Sequence, residues 1–410
     1  MTTLKFIRSC RMPSPKIINK EFLELSKTID VKQFAESVRG AFHGFVDYRR
    51  DEKIFYPAWY IILGALSGYL SGCDNIQDLT VFMKLKNPWF AELLHTPVKA
   101  PSYNVIWTFF VCTKPDEFKK ILKGWFSLLP KELRDQLLVL DGKRIRGAST
   151  DTHLTHVVEL FASESQITLY QERVPDKKNE LAALAPILEA VDVEGALLSM
   201  DAMFTQKANA TLIIDNKADY LMGLKGNQST LLDEIQYYFE DACAVNFEGV
   251  EHDFYYYVEE GHGREEKRTI QVACNLEEWL PQIDDWKGLK TAIEVVSERT
   301  TKGKVETCTQ YYISSRVGSA KAFGSWIRGQ WSIENNLHWI ADVVFREDDA
   351  TNKVGHSAEN LTLVRRLVMN MVNLFDPATG MAAARRFATH ESEYLKGMLV
   401  KVFSKTIKSF

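Results

Sequence analysis

The sequence predicts a chain of mixed α and β structure: an all-helical N-terminal unit, then a mixed sheet flanked by helices and carrying a β-rich insertion. Three observations predict it. Helical periodicity runs from residue 21 to about 130. At Gln136 it gives way to short apolar runs in the order strand-strand-strand-helix-strand-helix-strand, which implies a mixed sheet with helices packed on it. Between residue 229 and about 316 come runs rich in β-branched and aromatic residues.

The elements follow in order. DVKQFAESVRGAFHGF has apolar residues at helical spacing, and YPAWYIILGALSGYL, Tyr56 to Leu70, reads as a buried helix. Its 15 residues, broken by glycine, fall short of the ~20 needed to span a bilayer. Ser102 stands where an N-cap is wanted before YNVIWTFFVC, and Pro115-Asp116 opens DEFKKILKGWFSLL. QLLVLDGKRI reads as a buried strand that stops at Asp141, and THVVELFAS and ITLYQERV join as a hairpin through Glu164-Ser165-Gln166. NELAALAPILEAV and TQKANATLIIDNK read as helices, while ALLSMDAMF and DYLMGLKG read as strands. After the helix TLLDEIQYYFEDA, the strands FYYYVEE, KRTIQVAC, KTAIEVVSER and TQYYISSR form the insertion. The chain then returns to helix in KAFGSWIRGQWSIENNLHWIADVVF and ENLTLVRRLVMNMVNLF. The units expected are a basic tail 1–20, a helical domain 21–132, a sheet domain in two parts (133–228 and 319–376), the insertion 229–318, and a basic helical tail 377–410.

With 46% hydrophobic and 25% charged residues among 410, the composition is that of a globular protein with a substantial core. Six scattered cysteines lack any metal-ligand spacing, so a disulfide framework or zinc site is not expected and a reducing cytoplasm fits. The N-terminal residues lack the apolar core of a signal peptide. A net charge of −4 argues against a strongly basic nucleic-acid binder, yet local cations govern phosphate contact. Residues 1–20 carry five Lys or Arg and no acid, and Arg385 to Phe410 carries six against Glu391 and Glu393.

Two acids fall at strand ends: Asp141, and Asp201 in LLSMDAM. An acid just inside a buried strand end needs its charge compensated. If the strands are neighbours, both carboxylates share one sheet edge, where a divalent cation relieves their repulsion; oxygen-only ligands suit Mg²⁺ or Mn²⁺. Taken alone, each aspartate reads more readily as a turn cap. A third acid, Glu334, lies beside Trp331 and His338 at the edge of the apolar face Ile333, Leu337, Ile340, Ala341 and Val344. It either reaches the sheet end or remains a rim glutamate in water.

The segments VLDGKRIRGAS (Val139 to Ser149), SMDAMFTQK (Ser199 to Lys207), DYLMGLKGNQSTL (Asp219 to Leu231) and HGREEKR (His262 to Arg268) carry a family resemblance. So do IRGQWSIENNLHWIADVVFREDD (Ile327 to Asp349) and AENLTLVRRLVMNM (Ala358 to Met371). In that order they resemble the H-repeat-associated transposases of bacterial insertion sequences of the ISAs-one family. DYRRDEKIFYPAWYIILGALSGYLSG and APSYNVIWTFF resemble the family's N-terminal domain, so the likeness runs from about residue 30 to 375.

The resemblance implies a ribonuclease-H-like catalytic domain interrupted by a β-rich insertion, with Asp141, Asp201 and Glu334 as catalytic acids and metal ligands. It implies two Mg²⁺ (or Mn²⁺) ions per site and in-line phosphoryl transfer that cuts element ends and joins them to target DNA. Double-stranded DNA, both terminal inverted repeats and target, is then the partner. A homodimer on DNA is expected, in a bacterial, nucleoid-associated setting and without a membrane. Lys143, Arg144, Arg146, Lys225, Asn227, Gln228, His262, Arg264, Arg268, Arg328, Trp331 and His338 are candidate DNA contacts. His153 and His156 read as structural.

The chain departs from the family at Gln330, usually His, and at Arg144, usually Thr. The Tyr, Arg and Lys that flank the glutamate in related transposases fall on Ile327, Gln330 and Ala341, so that set does not carry over. Two rival readings share parts of this picture: a metal-dependent nuclease without strand transfer, and a domesticated DNA-binding protein without catalysis.

Overall fold

The computed structural model describes residues 18–96, 98–126, 136–147, 156–175, 177–249, 251–261, 264–274, 276–301 and 303–406. Its centre is a nine-stranded mixed sheet in the order β3-β2-β1-β4-β5-β9-β8-β7-β6. The strands are β1 Leu137–Arg144, β2 His156–Ala162, β3 Ile167–Val174, β4 Leu197–Met200, β5 Asp219–Leu224, β6 His252–Gly261, β7 Arg264–Ala273, β8 Thr291–Thr301 and β9 Lys304–Ser314. β1, β2 and β3 are antiparallel neighbours, while β1, β4 and β5 run parallel. This is the expected ribonuclease-H-like arrangement.

Alternation along each strand explains why the sheet is covered on both faces. Val139, Phe161, Leu197 and Leu221 join the core formed with the N- and C-terminal helices. Leu138, Leu140, Leu198, Met200 and Met222 join a second core under the helices Leu184–Ala190, Lys207–Asp215 and Ser229–Ala244. Runs apolar at every position are what such two-sided burial demands.

Two expectations change on contact with the fold. β1 does not stop at Asp141 but continues to Arg144, because Gly142, Lys143 and Arg144 keep pairing with Val158, Val157 and His156 of β2. Its other neighbour, β4, ends at Met200, so one side of β1 opens beyond that point. Gly142 permits the extension: a Cβ there would collide with the Glu180 carboxylate. The insertion strands also continue the main sheet, since β9 pairs antiparallel with β5 from Leu221↔Ser314 to Leu224↔Tyr311.

The N-terminal helices include Ala58–Leu70, in which every residue from Tyr60 to Leu70 is buried. Among the described residues no helix is long and apolar enough to cross a membrane. Ser102 occupies the N-cap position of Tyr103–Cys112 with extended backbone, but its side chain makes no capping bond. This helical unit packs on the C-terminal helices, as in the ring contacts Phe22–Tyr394 and Phe34–Phe403. The C-terminal segment is therefore folded, and its Arg385 is buried with hydrogen bonds to the Tyr69 and Cys73 carbonyls and to Asp74. That basic residue is therefore not a free surface charge.

The helix Ser357–Phe375 is buried on all sides from Ser357 to Val372. Its polar residues are tied off: Asn360 donates to the Phe110 and Thr113 carbonyls, each at 2.8 Å, and Asn370 donates to the Thr168 carbonyl at 2.8 Å. Arg366, fully buried, donates to Glu159 of β2 at 2.6 and 3.2 Å and to Glu347 at 3.0 and 2.9 Å. Lys143 reaches Glu347 at 3.1 Å and Asp342 at 2.6 Å.

Arg366→Met would leave Glu159 and Glu347 buried without their main counter-charge, so a loss of roughly 3–5 kcal/mol is expected in urea unfolding. An unchanged midpoint would mean the guanidinium is dispensable. Acid tests the same cluster. Despite full burial, which alone would raise it, Arg366 and His338 hold the Glu159 carboxyl at about 2, against an ordinary 4.5. Glu347 is likewise depressed, by Arg366, Lys143 and Arg365 against its own burial. Folded values below the unfolded ones make a stabilisation that is present above about pH 4.5 and lost as pH falls through about 2. The melting temperature should fall steadily across that window, and in Arg366→Met the fall should be blunted.

Candidate active site

Asp141 and Asp201 meet through strand register. Leu140 pairs with Met200 in the parallel β1–β4 ladder, so the next residue along each strand is an aspartate at the same sheet edge. Asp141 accepts the Gly142 amide at 2.8 Å, and Asp201 accepts the Ala202 amide at 2.7 Å. Glu334 arrives from the far side of the chain. The helix Ala320–Gln330 packs Gly329 against Leu137 of β1, and the following segments Glu334–His338 and Ile340–Val344 are wound as π-helix. The Trp339 amide bonds to the Glu334 carbonyl and the Phe345 amide to that of Ile340. Such winding occurs often at functional sites. The sequence reading of one regular helix through this stretch is corrected accordingly.

All three acids line one cavity of about 560 Å³, together with Lys225, Gln330 and Trp331. Their surroundings differ. Burial raises the Asp141 carboxyl to about 6; His338 and the Gly142 amide oppose the rise, and Glu334 and Glu180 add to it. Asp201 and Glu334 are exposed, with side-chain accessibilities of 59% and 63%. Asp201 has the Lys225 ammonium at 3.4 Å.

His338 is the residue sequence reasoning misjudged. Expected as a DNA contact, it is buried, with Nδ1 3.7 Å from Asp141 and 4.0 Å from Glu334, and Nε2 3.4 Å from Glu159. Asp141, Glu334 and His338 form a group whose ligand atoms all lie within 4.8 Å of one another, a set able to hold a cation. Glu159 was missed altogether, although a lone acid inside the apolar run HVVELFA was a usable signal. It lies directly opposite Asp141 in the β1–β2 ladder.

The remaining candidates divide. Lys143 is buried in its ion pairs with Asp342 and Glu347 and is not a surface cation. Asn227 donates to the Ala202 carbonyl and Gln228 to that of Thr205, so both amides brace the loop after Asp201. Arg144 is exposed, as is Arg146, which lies 3.6 Å from Asp348. Arg268 is paired with Glu266 and Tyr257, and Arg328 with Glu259. Both arginines line a second cavity of about 710 Å³ with Arg299, and exposed Trp331 stands between it and the first. His262 and His153 lie outside the described residues, as does the side chain of Arg264. His156, read as structural, is buried against Glu180.

Comparison with known proteins agrees with this geometry. Residues 132–371 match the family described as Transposase DDE domain, and residues 39–126 match the one described as DDE_Tnp_1-associated. An Escherichia coli K12 protein named "H repeat-associated putative transposase YhhI" is 28% identical over 364 residues, 86% of this chain and 95% of that one. A Xanthobacter autotrophicus protein, named only as uncharacterized in the dhlA 3′ region, is 32% identical over 257 residues, 62% of this chain and 85% of that one. A cryo-EM structure of the piggyBac transposase synaptic complex with hairpin DNA superposes at TM-score 0.42 and 8% identity, over 94% of this chain and 80% of that one. That last likeness is too low to argue from. The family match alone spans the sheet, the insertion and the three acids, and the chain belongs to the DDE transposases, among the H-repeat-associated members.

Proposed function

We propose that this chain is a metal-dependent DNA transposase that cuts the ends of an insertion sequence and joins them to target DNA. The observation that carries the reading is the meeting of Asp141, Asp201 and Glu334 on one open cavity at a sheet edge. In the proposal these three carboxylates are the catalytic, metal-holding groups. The donor set suits hard divalent cations such as Mg²⁺ or Mn²⁺, being chiefly carboxylate oxygen. Burial raises the Asp141 carboxyl, with smaller additions from Glu334 and Glu180, and a bound cation would compensate the charge of a carboxylate so placed. Bound divalent cations would supply activation of the attacking oxygen and charge neutralisation at phosphorus.

The protein's own part is positioning and electrostatics. Asp141 is held by its ladder partners, while exposed Asp201 and Glu334 adjust around the phosphate. Lys225, Arg144, Arg146 and Arg328 are the cations proposed to meet the DNA backbone, and Trp331 is the aromatic surface beside them. Two DNA ends imply two catalytic chains, so a homodimer on DNA is part of the proposal.

Divalent-metal-dependent cleavage of DNA carrying the element's ends is the direct test, with strand transfer of a pre-cut end into plasmid as its second stage. Alanine at Asp141, Asp201 or Glu334 removes several kcal/mol of transition-state charge stabilisation. At about 1.36 kcal/mol per tenfold, that is a loss on the order of 10³-fold. Cutting that survives any one change would show the site to be misassigned. Cutting without joining would favour a nuclease, and binding without cutting a non-catalytic DNA-binding protein. Lys225→Ala should weaken DNA binding across sequences and lower the log–log salt slope by about 0.9, one phosphate contact. An unaltered slope would remove Lys225 from the interface.

A further inference from the structure

We infer that His338 is a direct ligand of the cation held by Asp141 and Glu334, with Glu159 orienting its ring. The inference rests on the reading that these two acids hold a cation. His338 is 6% exposed, and its two nitrogens face different carboxylates. Nε2 lies 3.4 Å from Glu159, which is fully buried and gripped by Arg366 at 2.6 Å. In this structure Nε2 faces Glu159 without a formed hydrogen bond. A carboxylate gripped by a guanidinium can only accept, so in the proposed ligated state Nε2 carries the proton that closes on Glu159 and Nδ1 presents its lone pair to the acids. Metal-bound histidines commonly donate their other N–H to a carboxylate in this way.

Distance permits the ligation. With bonds near ~2.1 Å, two ligand atoms of one ion lie at most ~4.2 Å apart. Nδ1 is 3.7 Å from Asp141 and 4.0 Å from Glu334. Only opposite ligands reach ~4.2 Å, adjacent ones lying ~3.0 Å apart, so one acid would have to close in by up to about 1 Å. Exposed Glu334 has the room to do so, whereas Asp141 and His338 are held by their strand and by burial. Asp201 stands apart from this nitrogen. The Asp141–Glu334 position therefore carries one imidazole ligand that the Asp141–Asp201 position lacks. Imidazole shifts preference from Mg²⁺ toward Mn²⁺ and later transition metals. The two metal positions are thereby chemically unequal.

Mn²⁺ bound to the full-length protein is the probe. Pulsed EPR should show ¹⁴N modulation from a directly bound imidazole, converted to a ¹⁵N pattern when the protein is made with ¹⁵N-histidine. His338→Gln should abolish the modulation and weaken Mn²⁺ binding by at least on the order of 10-fold. His156→Gln, the control for the neighbouring buried histidine, should keep both. Bound Mn²⁺ that is lost in Asp141→Asn yet shows no nitrogen modulation in wild type would overturn the inference alone. So would modulation that persists in His338→Gln. Mn²⁺ binding indifferent to Asp141→Asn and Glu334→Gln would overturn it together with the reading it rests on. Should His338→Gln fail to fold, the wild-type isotope experiment combined with His156→Gln still decides.

Discussion

One buried guanidinium organises this protein. Arg366 places its planar fork between Glu159 and Glu347 with no solvent exposure, a geometry only arginine supplies. Ions removed from water are tolerable when paired and fully hydrogen-bonded. Around Glu159 and Glu347 the charges balance: Arg366, Arg365 and Lys143 stand against Glu159, Glu347 and Asp342. These six residues come from β1, β2, the central helix Ser357–Phe375, the π-wound segment and the turn after it. The cluster therefore ties the sheet to the segment carrying Glu334, alongside the core packing of Ile333, Leu337 and Phe345.

That constraint passes to the site through a short chain of contacts. Glu159 is paired across the ladder with Asp141, and it also faces His338. Asp141 is thus held by strand pairing on one side and by a braced imidazole on the other. Asp201 and Glu334 are more exposed, with the Ala202 amide and Lys225 beside Asp201 and the same imidazole 4.0 Å from Glu334. Under the proposed function, one partly buried acid with two exposed ones would suit a site that receives different oxygens of DNA in succession, because one ligand would stay fixed while the other two follow the phosphate.

The parts legible in the sequence were those with local causes. Apolar runs ending in acid marked Asp141 and Asp201, and the family's motif order marked Glu334. What escaped reading were pairings between residues distant in sequence. Lys143 looks like a surface cation after a turn, yet the unbroken β1 register turns it inward toward Glu347. Arg366 sits in a stretch read simply as helix, and the burial of every face became visible only with its neighbours. β9 gives no sequence sign that it will join β5, since edge pairing depends on which strand is left open. The π winding after Gln330 is equally silent, because its apolar spacing fits an ordinary helix nearly as well.

The acidic net charge, which seemed to speak against DNA, has a structural resolution that follows from the same division. Much of the acid is spent internally or locally. Glu159 and Glu347 neutralise buried cations, while Glu259 and Glu266 hold Arg328 and Arg268 at the second cavity. The Arg328–Glu259 pair is solvent-exposed, where an ion pair is worth only about 0–1 kcal/mol, whereas Arg268 and Glu266 are largely covered. Under the proposed function, a DNA phosphate would compete with Glu259 for Arg328 at that rim. The overall count of charges therefore says less than the place of Arg328 and its exposed partner Glu259 beside the acid-lined cavity. On this argument the insertion strands matter because they extend the sheet, carrying Arg268 and Arg299 outward from the same edge on which Asp141 and Asp201 stand.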